Sequence, residues 1–213
     1  MSSDFEDHFD EELGIIEDSL FGGQSGDKLD LLYRRAYYCS SAKRDDKFRP
    51  ELCPSTEELE WVVSELNQST DRRRSARLIK ILKYATEDWM LPSLAKFLDG
   101  PSPGLASEVL EIFRDIDAAA EYADQIISIM RGLPWDELQW CQRGAMECIE
   151  EYLRSHSNPR LLRELLNIYE SEEFEANIRE EAMRSLERVV GIEDLSRETV
   201  LLTVKARLAD EER

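Results

Sequence analysis

The chain predicts an all-α protein assembled from successive helical hairpins, and three observations carry that prediction. Apolar residues recur at helical spacing through stretches of about 12–18 residues, each closed by Pro or Gly. No stretch alternates apolar and polar residues as a half-buried strand does, and one set of apolar offsets returns in four separate helices.

Residues 1–26 read as an acidic N-terminal segment and linker. Phe5, Phe9, Leu13, Ile16 and Leu20 fall at offsets 0, 4, 8, 11 and 15, an apolar stripe at helical spacing with acids around it. Gly22, Gly23 and Gly26 then mark a joint. A helical pair follows at about 28–42 and 55–68, making 27–70 an N-terminal unit. Ser55-Thr56-Glu57-Glu58 is a capping box, in which the Ser hydroxyl and the Glu carboxylate each satisfy a backbone donor of the other.

Residues 71–213 hold the recurring pattern. Counting 4, 7, 8 and 11 residues on from Arg74 gives Leu78, Ile81, Leu82 and Ala85, and from Leu105 gives Val109, Ile112, Phe113 and Ile116. From Cys141 the set is Ala145, Cys148, Ile149 and Tyr152, and from Ile178 it is Ala182, Ser185, Leu186 and Val189. The starts lie 31, 36 and 37 residues apart. Each such helix is followed by a second, at about 87–99, 118–132, 159–170 and 194–209. Val200–Val204 is the best β-branched candidate, but Arg197, Glu198, Lys205 and Arg207 around it fit a final helix.

Ile178-Arg179-Glu180-Glu181-Ala182, continuing through Ser185-Leu186 to Val189-Val190-Gly191, resembles the first helix of the HEAT-repeat family. Leu91-Pro92-Ser93-Leu94-Ala95-Lys96-Phe97-Leu98-Asp99 resembles that family's second helix. The likeness covers about residues 71–209, but the Arg is missing after Leu105 and the Pro from the second helices at 118–132 and 194–209. It implies a short right-handed α-solenoid of about four to five repeats. It also implies a binding scaffold before an enzyme.

Charge narrows the partner. The 213 residues carry 46 acids and 27 bases, a net −19 that argues against nucleic acid and against anionic membranes. Residues 1–30 hold −9, residues 31–100 hold +2 and residues 101–213 hold −12. The acidic N-terminus is unlike a secretory signal, and the four cysteines lack metal-type pairing, so buried thiols in a reducing cytoplasm are expected.

Catalytic patterns are scarce. His8 lies in the acidic segment and His156 at a helix end before Pro159, so neither suits a nucleophile–base pair. The Gly22–Gly26 stretch lacks the Lys-Ser/Thr of a phosphate loop. No metal or cofactor is expected. Arg72, Arg73, Arg74 and Arg77 open a helix, where positive charge opposes the macrodipole and calls for an acidic contact such as Asp71 or the N-terminal segment.

The expected binding face combines aromatics and acids. Helical spacing turns Trp89 away from Leu91, Leu94 and Leu98, and turns Glu121 and Asp124 away from Ala123, Ile126, Ile127 and Met130. Second helices line the concave side of HEAT-like solenoids, so these residues are expected in one acidic groove. Trp135, Asp136, Glu137 and Trp140 are expected beside it. Trp anchors and steering carboxylates suit a basic protein partner, most concretely a basic toxin such as a nuclease held by an immunity protein. A general scaffold or regulatory subunit is the alternative, and a HEAT-like lyase the third.

Overall fold

The computed structural model describes residues 27–42, 50–191 and 196–211. The stripe from Phe5 to Leu20, His8 and the Gly22–Gly26 joint lie outside the described residues. All the regular structure described is helical: α1 (Lys28–Ala42), α2 (Thr56–Gln68), α3 (Arg72–Ala85), α4 (Leu91–Ala95), α5 (Pro103–Asp115), α6 (Ala123–Met130), α7 (Trp140–Ser155), α8 (Pro159–Glu170), α9 (Ala176–Val190) and α10 (Arg197–Glu211). Short 3-10 turns at Pro50–Leu52, Asp88–Met90 and Ala118–Ala120 precede α2, α4 and α6. The second helices expected at 87–99 and 118–132 are therefore broken into a 3-10 turn and a shorter α-helix. Val200 and Val204 are buried on helix α10. None of the described helices is long and apolar enough to cross a membrane.

The chain divides after Leu94 into two compact units. In the first, α3 packs on both α1 and α2, so this unit extends beyond the 27–70 pair expected from the sequence. The capping box forms: Ser55 Oγ accepts from Glu58 N at 3.3 Å and Glu58 Oε2 from Ser55 N at 2.8 Å. Arg35 is the unit's buried charge, 6% exposed. Its Nε donates to Leu52 O at 2.8 Å, its Nη2 to Cys53 O at 2.6 Å and its Nη1 to Glu58 Oε1 at 2.5 Å. One guanidinium thus ties α1 to the 3-10 turn and to the start of α2.

That tie brings two cysteines together. Cys39 and Cys53 form a disulfide across a Cα separation of 5.6 Å, which corrects the expectation of four buried thiols. Spacing alone gave no sign of the pair, because the contact depends on Arg35 folding the 50–53 turn onto α1. Cys141 and Cys148 remain free and buried. Burial pushes both thiols up to about 12, with the Asp136 carboxylate adding to the rise at Cys141. Thiolate is the reactive form, so iodoacetamide at neutral pH should label no cysteine of the native chain. It should label two in denaturant and four once reductant is added; four without reductant would contradict the bridge.

The second unit has two layers. The first helices α5, α7 and α9 pack successively, α5 on α7 and α7 on α9. The second helices pack α6 on α8 and α8 on α10. Their facing stripes are fully buried: Val109, Ile112 and Phe113 on α5, Ala145, Cys148 and Ile149 on α7, Ala182, Ser185 and Leu186 on α9. These are the first three positions picked out by the recurring offsets; at the fourth, Val189 is buried while Ile116 and Tyr152 are half-buried. Glu150 is matched inside the stack: its Oε2 on α7 accepts from Ser185 Oγ and Arg188 Nη1 on α9, each at 3.0 Å, whereas Ser102 Oγ and Arg179 Nε are buried without a hydrogen-bond partner among the described residues.

Candidate functional site

The connection from α6 to α7 collects most of the predicted site residues. Gly132 turns the chain at φ +94°, and a Cβ there would stand 3.5 Å from the Gln142 side chain. Gln142 is itself buried, and its Nε2 donates to Met130 O at 3.0 Å, tying the end of α6 to the first turn of α7. Gln139 precedes α7 in the left-handed region at φ 59° and its side chain caps no amide of the helix. Asp136 supplies that cap from further back: Oδ1 accepts from Trp140 N at 3.1 Å and Oδ2 from Gln142 N at 2.8 Å.

Asp136 is therefore misplaced in a binding face. It is 6% exposed and both oxygens are committed to the helix start, where helix amides and the dipole favour a carboxylate. Its neighbours differ. Glu137 lies exposed, Leu138 is 65% exposed and Trp140 is 62% exposed, while Trp135 is half-buried. We expect Asp136→Ala to lower the unfolding free energy by about 1–2 kcal/mol, with Asp136→Asn recovering part of it, read from urea midpoints. An unchanged midpoint would mean the cap adds nothing.

The 171–175 connection adjoins the same edge. Asn177, in the first turn of α9, donates its Nδ2 to Gln139 Oε1 at 2.8 Å, and Glu172, Glu173 and Glu175, all exposed, lie in the segment just ahead of that turn. Trp140 also overhangs a cleft of about 190 Å³ between α5 and α7, lined by Leu110, Glu111, Arg114, Arg143 and Glu147. Gly144 forms part of its floor, its missing Cβ lying 3.5 Å from Leu110 Cδ1.

The second-helix face departs from the acidic groove expected there. Asp124 is exposed but ion-paired with Arg160 of α8. Arg131 forks onto Glu164 with contacts of 2.7 and 2.8 Å, and Lys205 of α10 lies 2.6 Å from Glu170. Each carboxylate is met by a cation from an adjoining hairpin, so the ladder offers little unpaired charge; such surface pairs are worth about 0–1 kcal/mol each. Glu121 lies exposed beside Tyr122, whose phenol is raised by burial first and then by that carboxylate. Trp89, in the first unit, is 40% exposed and donates its indole Nε1 to Glu87 at 2.8 Å.

His156 closes α7 as a cap, its amide donating to Tyr152 O at 2.9 Å and its ring stacked on Tyr152 at 4.5 Å. Among the described residues no group of His, Cys, Asp and Glu is arranged to hold a metal ion. In the first unit the acidic contacts at the start of α3 reach the helix amide of Arg73 and the side chains of Arg74 and Arg77. Asp71 Oδ1 accepts from Arg73 N at 2.8 Å, Arg74 pairs with Glu65 at 2.5 Å, and Arg77 pairs with Asp27 and Asp30.

No family model matches the chain, and no curated protein or solved structure is significantly similar to it.

Proposed function

We propose that the protein is a non-catalytic, protein-binding helical array of the HEAT-like solenoid kind, whose second unit captures a basic protein. The successive packing of α5, α7 and α9 in one layer and α6, α8 and α10 in the other supports the solenoid reading. The observation that carries the binding reading is the exposure of Leu138 and Trp140 beside Glu137, in a connection that Asn177 ties to the start of α9, just after the exposed Glu172, Glu173 and Glu175. An apolar anchor rimmed by carboxylates excludes water at its centre and steers cations at its border.

The net −12 of residues 101–213 sets the sign of the partner. In its most concrete form the protein is an immunity protein that occludes a basic toxin, such as a nuclease, by presenting carboxylates where phosphates would lie. The docking edge replaces the second-helix groove in this reading, because Asp124, Glu164 and Glu170 on that face are already paired.

Immobilised full chain should capture one basic protein from the lysate of its own source and release it as salt rises. Leu138→Ser with Trp140→Ser should abolish capture, Glu137→Lys should weaken it, and equimolar addition should inhibit the captured protein. Capture unaffected by these substitutions, or of an acidic protein alone, would sink the proposal.

A further inference from the structure

The first unit carries a surface of opposite character. Helix α3 holds Arg72, Arg73, Arg74, Arg77, Lys80 and Lys83 and no acid, in a chain of net charge −19. Its start borders a cleft of about 380 Å³ lined by Lys28, Arg73, Arg74 and Arg77, with Trp61 and the acids Asp27 and Asp71. The Lys28 ammonium sits 3.6 Å from the Trp61 ring centroid, a cation–π contact that holds the charge at the cleft wall.

The seam between α1 and α3 leads from that cleft to an exposed aromatic patch. Arg77 meets Asp27 and Asp30 at one end. At the other, Tyr84 makes edge contacts with Tyr33 and Tyr37, at 5.8 and 5.2 Å. Tyr33 and Tyr37 stay 37% and 41% exposed. From Arg73 to Tyr84 the strip runs about 17 Å along the helix at 1.5 Å per residue. It is cationic at one end and apolar at the other.

We propose that this strip is the receptor for the chain's own acidic stretch from Phe5 to Leu20. Three observations select that occupant. Residues 1–26 contain eight acids and no Lys or Arg, complementing Lys28 and Arg73, the lining cations with no carboxylate partner among the described residues. The same stretch carries Phe5, Phe9, Leu13, Ile16 and Leu20 at helical spacing, apolar groups to cover the tyrosines. The chain enters the described fold at Asp27, itself on the cleft wall. The intervening six residues, 21–26, reach at most about 20 Å, which holds the stretch beside the cleft at an effective concentration in the millimolar range.

A nucleic acid is the less apt occupant, because the chain's net charge repels a ligand with one charge per phosphate, and among the described residues only Lys28 and Arg73 of the lining cations lack a carboxylate partner, too few for a phosphate backbone. A tethered peptide brings only a few carboxylates together with apolar groups.

Hydrogen exchange on the full chain tests this. Amides of residues 5–20 should exchange at least tenfold more slowly than an unstructured peptide at low salt. That protection should fall at least threefold in the exposed-site variant Lys28→Glu with Arg73→Glu. It should fall likewise in the unaltered chain at about 0.5 M salt, where the screening length drops to roughly 4 Å. Exchange at the unstructured rate, protection indifferent to both charge reversal and salt, or protection lost on dilution, which marks exchange between copies, would each overturn the proposal.

Discussion

Phe113→Ala lowers the unfolding free energy by about 3–5 kcal/mol, the range for truncating a fully buried aromatic. The ring has no exposure and lies 4.7 Å from the Tyr122 ring, tilted by 41°. It fills the space between α5 and the segment leading to α6, where Ala118 and Ala119 are too small to collapse inward. The loss therefore combines transfer energy with an unfilled cavity. Denaturation in urea should show a lower midpoint with the slope kept, and Phe113→Leu should recover most of it. The Tyr122 phenol, raised chiefly by burial, should titrate closer to its ordinary value in the alanine variant. A loss under about 1 kcal/mol would mean the ring is not a core element.

Arg35→Met costs about 2–4 kcal/mol, somewhat below the usual loss for breaking a buried ion pair because Glu58 keeps partial contact with water. The side chains are 7% and 30% exposed. Methionine fills much of the volume but leaves Leu52 O and Cys53 O without their donor, and buried acceptors cost about 1–3 kcal/mol when orphaned. The pair also sets a pH dependence. Burial alone raises the Glu58 carboxyl, but hydrogen bonds from Arg35 and the Ser55 amide outweigh it and hold the group below its ordinary value. A carboxyl lowered on folding contributes stability above its unfolded pKa of about 4.5 and loses it as pH falls through the folded value. Stability of the unaltered chain should thus drop more steeply below pH 4.5 than that of Arg35→Met. Parallel curves for the two would remove Arg35 from the account.

Helix placement was legible because the signals are local. The offsets from Leu105, Cys141 and Ile178 identify buried stripes on α5, α7 and α9, and Ser55 with Glu58 announces the start of α2. The breaks at Asp88–Met90 and Ala118–Ala120 were not legible: Met90, Leu94 and Leu98 keep helical spacing from the first turn through α4 and beyond it, so periodicity continues where the hydrogen bonding changes.

Site residues fared according to whether their partners are near in sequence. Exposure of Asp124 follows from helix phase, but its neutralisation depends on Arg160, 36 residues away. Asp136 reads as one more acid in an acidic loop, and only the left-handed backbone at Gln139 makes it the cap of α7. Leu138 was missed because an isolated Leu in a loop carries no pattern, and Glu150 because an acid among Cys148, Ile149 and Leu153 finds its partners on the next hairpin. A Glu on the apolar face of an otherwise regular stripe is the one signal that could have found it.

In the proposed function Leu138 and Trp140, both exposed, form the docking edge for a basic protein. Calorimetric titration of the captured partner into Trp140→Ala tests it most directly, with Leu202→Ala, an exposed apolar residue on α10, as comparison. A central aromatic anchor is worth about 2 kcal/mol or more, so the dissociation constant should rise at least about 30-fold for Trp140→Ala and less than about threefold for Leu202→Ala. Equal affinities for Trp140→Ala and the unaltered chain would contradict the account.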